Sequence, residues 1–578
     1  MSKAMRKEYP RPQFRRGEWL CLNGEWDFTL DNDALGIEKG YPTAESFEMK
    51  INVPFCPESS LSGLALMGFI NGVWYTRTVT LPDGWQERGR RTFINIGACD
   101  YITRVFVNGS EVGMHRGGYV SFSFDITAAL KEGENRITIY ATDDTCSKSV
   151  PSGKQSDREK SYGCFYTRTT GIWQTVWLEN TPAAYLKSVK LTPSVADCSL
   201  RVEAKTAFAA GKTLCTTVYY DGEIVGCDER EIAWDNADFT VSLSEEYLWD
   251  MESPCLYDVV FTLDEDRVES YFGLREIALR DGVTYLNGKP VFQRLVLDQG
   301  FYPDGIYTAP SDEELINDIK RSMDMGFNGA RLHEKIFEER FLYHADRLGY
   351  LVWGEYPNWG LDVSLESAYK NMLPEWLEEL CRDYNHPSII GWCPLNETQR
   401  NIDPEFVRYL YNMTKAYDPT RLFIDNSGWF HIAGTYDMYD VHDYLGEPQK
   451  FREKYWVLTE GKPAECMLDN DEDSRKTGES DEICFVSEFG GARFVLDSDN
   501  GGDNWGYGLQ VKDVEDFIAR YKGLVDALLD NPKISAFCYT QLTDVEQEMN
   551  GLYTYDRRAK FPAERMAEIT SRAAAVEK

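Results

Sequence analysis

The sequence lacks three features that would place it in other classes of protein. No stretch of the 578 residues approaches the ~18 uninterrupted apolar residues of a membrane-spanning helix. The opening residues, MSKAMRKEYPRPQFRR, contain no apolar segment of the kind that a secretory signal needs. The 14 cysteines stand apart, with neither a Cys-x-x-Cys pair nor a histidine cluster beside them, so no disulfide framework or zinc site is indicated. We therefore expect a cytoplasmic protein with no membrane partner.

Positive charge is also scarce. The 61 Lys and Arg residues against 95 Asp and Glu residues give a formal net charge of −34 and a pI near 4.6. Such a field repels polyanions, so we expect no nucleic-acid partner. It also disfavours an anionic substrate, unless a local cation offsets the global charge. Aromatic residues make up 13% of the chain, which suits stacking on sugar faces and large β-sandwich cores equally well.

The first part of the chain shows the pattern of β-sandwiches. Between about residues 19 and 180, alternating apolar runs are separated by turn pairs such as Asn23-Gly24 and Asn108-Gly109, as in β-hairpins. We predict an antiparallel jelly-roll domain over residues 1–182. A second all-β stretch, from TPAAYLKSVKLTP to YFGLREIAL, predicts an immunoglobulin-like sandwich over residues 183–279.

The pattern then changes to alternating helices and strands. Ser311 and Glu314 form a capping box that predicts the start of a helix, and Gly326 predicts its end before the strand FNGARLH. Eight strands that mostly alternate with helices predict a (β/α)₈ barrel over residues 280–578. Residues 445–480 are polar, and we predict a long loop near the mouth of the barrel.

Two glutamates follow apolar runs in this predicted barrel. Glu397 comes after residues 389–395, and Glu488 comes after residues 483–486. Residues just past the strand ends of a barrel face its active-site mouth. Two carboxylates that meet there can cleave a glycosidic bond, one by protonating the leaving oxygen and the other by attacking the anomeric carbon. For either glutamate alone, a solvated loop position would be the simpler interpretation, because the chain has 95 acidic residues.

A series of motifs, taken in order, resembles glycoside hydrolase family 2, the family of β-galactosidases and β-glucuronidases. The resemblance covers essentially the whole chain, and its early part looks like the family's sugar-binding jelly roll. The motifs are RPQFRRGEWLCLNGEWDF, NVPFCPESSLSG, GACDYITRVFVNGSEVGMHRGGYVSFSFDIT, TTGIWQTVWLENTP, GFNGARLHEK, HPSIIGWCPLNE and SEFGG.

The resemblance implies a retaining double displacement. By its Asn-Glu motif, Glu397 matches the general acid/base, and by its Ser-Glu-Phe-Gly-Gly motif, Glu488 matches the nucleophile. Retention requires carboxyl groups about 5–5.5 Å apart. The negative charge of Glu488 is expected to raise the pKa of Glu397, so that Glu397 starts as an acid. No cofactor is expected, and because the metal site of some β-galactosidases is not recognisable here, no metal is expected either. A homo-oligomer stays open, because family members are often dimers or tetramers.

Further residues match the substrate pocket of the family. Arg331 is expected to orient Glu488, and Asn396 to donate a hydrogen bond to the sugar 2-hydroxyl. Tyr444 is a candidate partner for the nucleophile. The remaining candidates either contact substrate hydroxyls or have purely structural roles: His333 and His442, Glu355 and Asp298 at strand ends, and Arg168 on the jelly-roll loop.

The sequence departs from the family pattern after the eighth strand. Family β-glucuronidases carry an Asn-x-Lys pair whose lysine binds the substrate carboxylate, but no lysine stands near Asn550 in EQEMNGLYTYDRR. The tryptophan that many members place at the end of this strand is also absent. Tyr539 and Gln541 occupy this region instead, and Gln541 offers polar contacts where others offer a stacking face. Glu546 and Glu548 follow and are either solvated or directed into the mouth.

The sequence therefore predicts a retaining exo-glycosidase that acts on oligosaccharides or glycosides, most like a β-galactosidase. Alternatives within the class are a β-glucuronidase or galacturonidase and an arabinosidase or galactofuranosidase. A rival from another class is a non-catalytic carbohydrate-binding protein, but Glu397, Glu488, Asn396 and Arg331 are all present, which argues against it.

Overall fold

A computed structural model describes residues 6–462, 464, 483–496, 504–508 and 510–578. None of the helices in these ranges is long and apolar enough to cross a bilayer. The cysteines in these ranges are free. Three structural units follow one another along the chain, as the family resemblance implies: two β-sandwiches and a barrel.

The first unit is a sandwich of two antiparallel sheets, because alternate residues of its strands are apolar and face a shared core. One sheet has the order β1-β12-β5-β9, the other β3-β2-β4-β10-β7-β8, and β6 pairs with β11. The strands are β1 (Trp19–Cys21), β2 (Gly24–Leu30), β3 (Met49–Val53), β4 (Gly72–Thr80), β5 (Arg91–Ile96), β6 (Cys99–Asp100), β7 (Ile102–Val107), β8 (Ser110–Arg116), β9 (Phe122–Asp125), β10 (Glu134–Thr142), β11 (Gly171–Ile172) and β12 (Val176–Thr181).

The second unit is a smaller sandwich of seven strands, with sheet orders β13-β14-β17 and β16-β15-β18-β19. Its strands are β13 (Tyr185–Ser194), β14 (Ser199–Ala207), β15 (Thr213–Tyr220), β16 (Glu223–Glu231), β17 (Asn236–Ser242), β18 (Tyr257–Leu263) and β19 (Asp266–Phe272). Buried Arg16 joins the two sandwiches, because its guanidinium bonds Glu179 of the first at 3.2 Å and Asp266 of the second at 2.9 Å.

The third unit is a curled sheet of eight parallel strands, as the alternating pattern predicts. The strands are β23 (Gln293–Asp298), β24 (Gly329–Leu332), β25 (Leu351–Glu355), β26 (Ile389–Cys393), β27 (Leu422–Phe423), β28 (Tyr439–Asp443), β29 (Ile483–Gly490) and β30 (Ala536–Thr540). A small sheet of β20 (Ile277–Arg280), β21 (Val283–Leu286) and β22 (Lys289–Val291) precedes them and packs near the start of β30.

The fifth barrel strand, β27, is shorter than the pattern RLFIDNSGW predicts. Beyond Phe423, the chain continues beside β26 through separate bonds, such as Ser427 N to the Leu395 carbonyl at 2.8 Å. No ladder joins β27 to β28 within the described residues. Separate backbone bonds span this seam, including Asp437 N to the Phe423 carbonyl at 2.8 Å and His442 N to the Gly428 carbonyl at 3.4 Å.

Seven α-helices accompany the barrel strands within the described ranges. They are α1 (Asp312–Asp324), α2 (Glu339–Leu348), α3 (Glu366–Asp383), α4 (Pro404–Tyr417), α5 (Pro448–Trp456), α6 (Val514–Leu529) and α7 (Ala563–Thr570). The Ser311 side chain caps α1 by accepting from Glu314 N at 3.2 Å, which confirms the predicted helix start, while the Glu314 carboxylate accepts from Arg321 at 2.5 Å and does not complete a capping box.

The prediction of a loop over residues 445–480 is wrong in its first part. There, α5 forms and packs against α6. Pro448 begins α5, and Phe451 and Tyr455, one turn apart, supply its buried face. The rest of the predicted loop, except residues 457–462 and 464, lies outside the described residues.

A loop of the jelly roll reaches the barrel. This jelly-roll mouth loop, residues 143–170 between β10 and β11, contacts the segment after β25. The backbone N–H groups of Ser152 and Gly153 both donate to the Trp359 carbonyl, at 2.8 and 3.1 Å. Gly153 permits this approach, because its φ is +52° and a Cβ there would lie 2.3 Å from the Glu334 carbonyl oxygen.

Candidate active site

The structure brings the two predicted glutamates together at the carboxyl ends of the barrel strands. Glu488 lies within β29, and Glu397 follows β26 with a left-handed φ of +47°. The N–H of Glu397 donates to the Ser427 carbonyl at 2.9 Å, which fixes this turn. One oxygen of each glutamate lies within 4.8 Å of the other. This spacing fits a retaining glycosidase, because an inverting enzyme needs a gap of about 6.5–9.5 Å for its water.

Three side chains direct donors at Glu488. Arg331 Nη1 lies 3.4 Å from Oε1, and His442 Nε2 also lies 3.4 Å from Oε1. The Tyr444 hydroxyl donates to Oε2, and its ring stacks on Tyr507 with centroids 3.5 Å apart. These contacts orient the carboxylate and match the negative charge that a nucleophile carries.

Buried Arg331 connects several residues of the site. Its guanidinium donates to Glu355 Oε1 at 2.5 Å, to the Ser487 carbonyl at 2.6 Å and to Asn396 Oδ1 at 3.2 Å. The other oxygen of Glu355 bonds His333 Nδ1 at 2.9 Å. Glu355 is 1% exposed and has both oxygens occupied, so it holds Arg331 and His333 in place.

Asn396 presents an unused donor at the site. Its N–H donates to Asn358 Oδ1 at 2.7 Å, and its Oδ1 accepts from Arg331. Its Nδ2 is buried and has no hydrogen-bond partner among the described residues. A buried donor without a partner is costly, so this amide is suited to a ligand hydroxyl.

His442 lies between the two glutamates. Its Nδ1 bonds Glu397 Oε1 at 2.7 Å, and its Nε2 faces Glu488 and Ser427 Oγ. Burial lowers the pKa of His442, but the charges of Glu488 and Glu397 raise it by more, so its net pKa lies above the ordinary value. One nitrogen of His442 and one oxygen of each glutamate also have the spacing of three metal ligands, and His442 supplies positive charge there when it is protonated.

The expected net rise in the pKa of Glu397 does not hold for the free protein. Burial raises the pKa of Glu397, but the hydrogen bond and charge of His442, with the charges of Lys154 and Arg331, lower it below its ordinary value. The two carboxylates alone do not set this pKa, because His442 lies between them. Glu397 and His442 therefore form a pair that shares one proton.

Three other candidates have no described contact with either glutamate. The Asp298 carboxylate accepts from Gly300 N at 2.9 Å, and burial with the Asp318 charge raises its pKa to about 6. Gln541 Nε2 donates to Asn550 at 2.7 Å, while its buried Oε1 has no described partner. Arg168 donates to backbone carbonyls, including that of Gly68 at 2.6 Å. Substrate contact by these three side chains stays a prediction.

Two residues at the site, Lys154 and Trp359, were not predicted from the sequence. Trp359 follows β25, so its place past a barrel strand end was a usable signal. Its indole N–H donates to the Asn396 carbonyl at 3.2 Å. Lys154 lies on the jelly-roll mouth loop, and its ammonium nitrogen sits 3.5 Å from the centroid of the Trp359 ring. No local pattern marks this lysine, because only the packing of two domains brings it to the site.

The segment after β30 is acidic and internally bonded. Glu548 accepts from Asn550 at 2.9 Å and from the Tyr166 hydroxyl at 2.5 Å. Burial raises the pKa of Glu548 above its ordinary value. Lys560 is fully buried and pairs with Asp544 at 2.5 Å. The lysine nearest in sequence to Asn550 is therefore already paired with a carboxylate.

A barrel with two catalytically spaced glutamates at its strand ends defines a glycoside hydrolase. Three models of one family match the chain in order: the sugar-binding domain of glycosyl hydrolases family 2 over residues 65–182, the family 2 middle domain over 184–275, and the family 2 TIM barrel domain over 277–444. The chain belongs to glycosyl hydrolase family 2.

Relatives with known names are similar at low identity. A β-glucuronidase of Felis catus is 27% identical over 473 residues, which cover 73% of this chain and 70% of the relative. A β-galactosidase of Thermoanaerobacter pseudethanolicus is 26% identical over 410 residues, covering 67% of this chain and 53% of the relative.

Solved β-glucuronidase structures share the fold over nearly the full length of both chains. One from an uncultured Clostridium species has a TM-score of 0.78 at 18% identity and covers 98% of this chain and 99% of its own. One from Ruminococcus gnavus in complex with D-glucuronic acid has a TM-score of 0.77 at 17% identity, with 98% and 100% covered. At such identity, these structures establish the fold alone.

Proposed function

We propose that this protein is a retaining exo-β-glycosidase that removes a terminal β-linked hexuronic acid, as a β-glucuronidase or β-galacturonidase does. The reaction type rests on one observation, the two glutamate carboxylates within 4.8 Å of each other. The sugar rests on the relatives, of which more are named β-glucuronidase than β-galactosidase. This proposal moves the sugar from the β-galactosidase expectation to its uronide alternative.

In the first step, a Glu488 oxygen attacks the anomeric carbon, and the bond to the leaving oxygen breaks. Glu397 donates its proton to that oxygen, with His442 holding the shared proton at 2.7 Å before the substrate arrives. The product of this step is a glycosyl ester of Glu488. Asn396 Nδ2 donates to the sugar 2-hydroxyl, a bond that strengthens as charge develops at the anomeric carbon.

In the second step, Glu397 acts as a base. It takes a proton from water while the water oxygen attacks the anomeric carbon, and the bond to Glu488 breaks. The sugar leaves with its original anomeric configuration, and Glu397 regains the proton needed for another turnover. Tyr444 and Arg331 receive Glu488 again as a carboxylate, because both remain directed at its oxygens.

β-Galactosidase action is the second candidate. One observation favours it: no lysine follows Asn550 as in the Asn-x-Lys pair of family glucuronidases, and Lys560 already pairs with Asp544. A neutral galactose would need no such cation.

A panel of nitrophenyl glycosides separates the candidates. We expect kcat/KM for the β-D-glucuronide or β-D-galacturonide to exceed that for the β-D-galactoside by about 100-fold or more, the range that one charged hydrogen bond supports. Preference for the galactoside would overturn the uronide assignment. NMR detection of the α-anomer as the first product would overturn the retaining mechanism.

A further inference from the structure

Lys154 is a buried cation without an anionic partner. It is 5% exposed, and its ammonium contacts the Trp359 ring face at 3.5 Å. No described carboxylate oxygen lies within 4.0 Å of its nitrogen, and no described residue accepts a hydrogen bond from it. A buried charge is costly unless it is paired, so this ammonium marks a place for an anion.

Three nearby carboxylates have other partners, and a fourth, Glu334, accepts from Trp359 N at 2.9 Å while its buried Oε1 has no described partner. Glu488 accepts from Tyr444, Glu397 bonds His442 and Glu548 accepts from Tyr166. Burial lowers the pKa of Lys154, but negative charges, including those of Glu397 and Glu488, raise it by more. Lys154 is therefore charged and interacts electrostatically with both glutamates, yet its ammonium N–H groups donate to no described residue.

An anionic sugar needs a cation in this site. The substrate carboxylate would otherwise enter a low-dielectric mouth that already holds the charge of Glu488, in a protein of net charge −34. Arg331 is used by Glu355 and Asn396, Arg168 by backbone carbonyls and Lys560 by Asp544. Arg168 Nε also has no described partner, but of these four cations only Lys154 donates no described side-chain hydrogen bond at all.

The jelly-roll mouth loop holds Lys154 firmly on the barrel. Its backbone bonds to Trp359 flank the lysine on one side, and Gln155 bonds Asp100 at 2.8 Å on the other. On the far part of the loop, Gly163 accepts from the Trp505 indole at 2.6 Å. A cation on so well bonded a loop is preorganised for a ligand.

We propose that Lys154 binds the carboxylate of the hexuronic acid, so that the jelly-roll domain, and not the loop after the eighth strand, selects the acidic sugar. This inference rests on the proposed uronidase function, since it names the residue that recognises that substrate. Trp359 beside the ammonium supplies an apolar face against which the sugar carboxylate is desolvated.

The test compares Lys154→Met with Lys160→Met, which removes the same charge from an exposed position on the same loop. We expect Lys154→Met to lower kcat/KM on the uronide about 100–1000-fold, as loss of a buried charge partner does. The galactoside rate should change less than about 5-fold, because a neutral sugar makes no charged bond to lose. Lys160→Met should match the wild type, and Lys154→Arg should recover part of the uronide activity.

A binding measurement separates folding and catalysis from recognition. In the inactive Glu488→Gln background, D-glucuronate and D-galacturonate binding by calorimetry should weaken on adding Lys154→Met, while the thermal midpoint stays near that of the parent. Binding of either acid that is unchanged by Lys154→Met would overturn the inference.

The outcomes distinguish this inference from the proposed function. If the wild type prefers uronides but Lys154→Met lowers kcat/KM equally on the uronide and the galactoside, the role of Lys154 is overturned and the proposed function stands. Arg493 is a half-buried cation after β29. The role of Lys154 is also overturned if Arg493→Met selectively loses activity on the uronide and Lys154→Met does not. A wild type that cleaves galactosides and no uronide overturns the proposed function, and the inference with it.

Discussion

The strand ends of the barrel and the jelly-roll mouth loop meet at one site but are built differently. At the strand ends, side chains hold one another: Arg331 alone bonds Glu355, Ser487, Asn396 and Glu488. The loop is held mainly by its backbone, through Ser152 and Gly153, and it leaves the Lys154 ammonium unpaired. The first arrangement suits reacting groups that must keep one geometry, and the second suits a group that waits for part of the substrate.

The strongest test of the barrel side is Glu488→Gln. We expect kcat to fall about 10⁵-fold on every glycoside, because the covalent step loses its nucleophile. Turnover of nitrophenyl uronide and galactoside measures this, with Glu313→Gln on the exposed side of α1 as the matched control. Comparable activity in the two variants would remove Glu488 from the mechanism.

Glu397→Gln should depend on the leaving group. We expect a loss of about 10²–10⁴-fold on alkyl uronides, whose leaving oxygen needs a proton, and a much smaller loss of the first step on dinitrophenyl uronides. Burst kinetics on the activated substrate checks this, since the glycosyl ester should accumulate. A loss that is equal for all leaving groups would contradict the acid role.

Arg331→Lys tests the side-chain network while keeping the charge. A lysine cannot serve several acceptors with the planar geometry of a guanidinium, so we expect kcat/KM to fall about 10–100-fold on both sugars. Steady-state kinetics on the uronide and the galactoside measures it. A loss confined to the uronide would show that Arg331, and not the loop, recognises the acid.

Gly153→Ala tests the docking of the loop, and Gly163→Ala is its control. Both glycines have φ of +52°, but only at Gly153 would the new Cβ meet backbone, at 2.3 Å from the Glu334 oxygen. Gly153→Ala should shift Lys154 and so lower kcat/KM on the uronide about 10-fold, while the galactoside rate is retained. Gly163→Ala should lose only the stability that an alanine at positive φ costs, with kcat/KM unchanged on both sugars. Equal behaviour of the two variants would mean that the position of the loop does not matter.

His442→Gln should change the pH profile more than the maximum rate. The charges of Glu488 and Glu397 raise the pKa of His442 above its ordinary value, so the proton shared with Glu397 is held to higher pH than a free imidazole would hold it and is lost as pH rises through the pair's raised pKa. Without the imidazole, that proton is lost at lower pH, and the basic limb of kcat/KM should move downward. An unmoved basic limb, measured from pH 4 to 9, would separate His442 from the acid step.

Local patterns were enough to predict the parts of the site that belong to single strand ends. Glu397, Glu488, Arg331 and Asn396 each follow or end an apolar run, and the barrel brings such positions together. The pKa of Glu397 was predicted in the wrong direction, because His442 comes 45 residues later and its 2.7 Å bond to Glu397 forms only when β28 closes against the segment that follows β26.

The order of the sandwiches and the barrel, and the two glutamates proposed to react, could be predicted from the amino-acid sequence alone. These follow from periodicity and from motifs that lie within one strand and its following turn. The position of Lys154, the cation that we propose for the acidic sugar, arises only from tertiary packing, because Lys154 and Trp359 are 205 residues apart and belong to different domains. Their contact depends on the glycine-permitted approach of two backbones, which no local pattern of residues encodes.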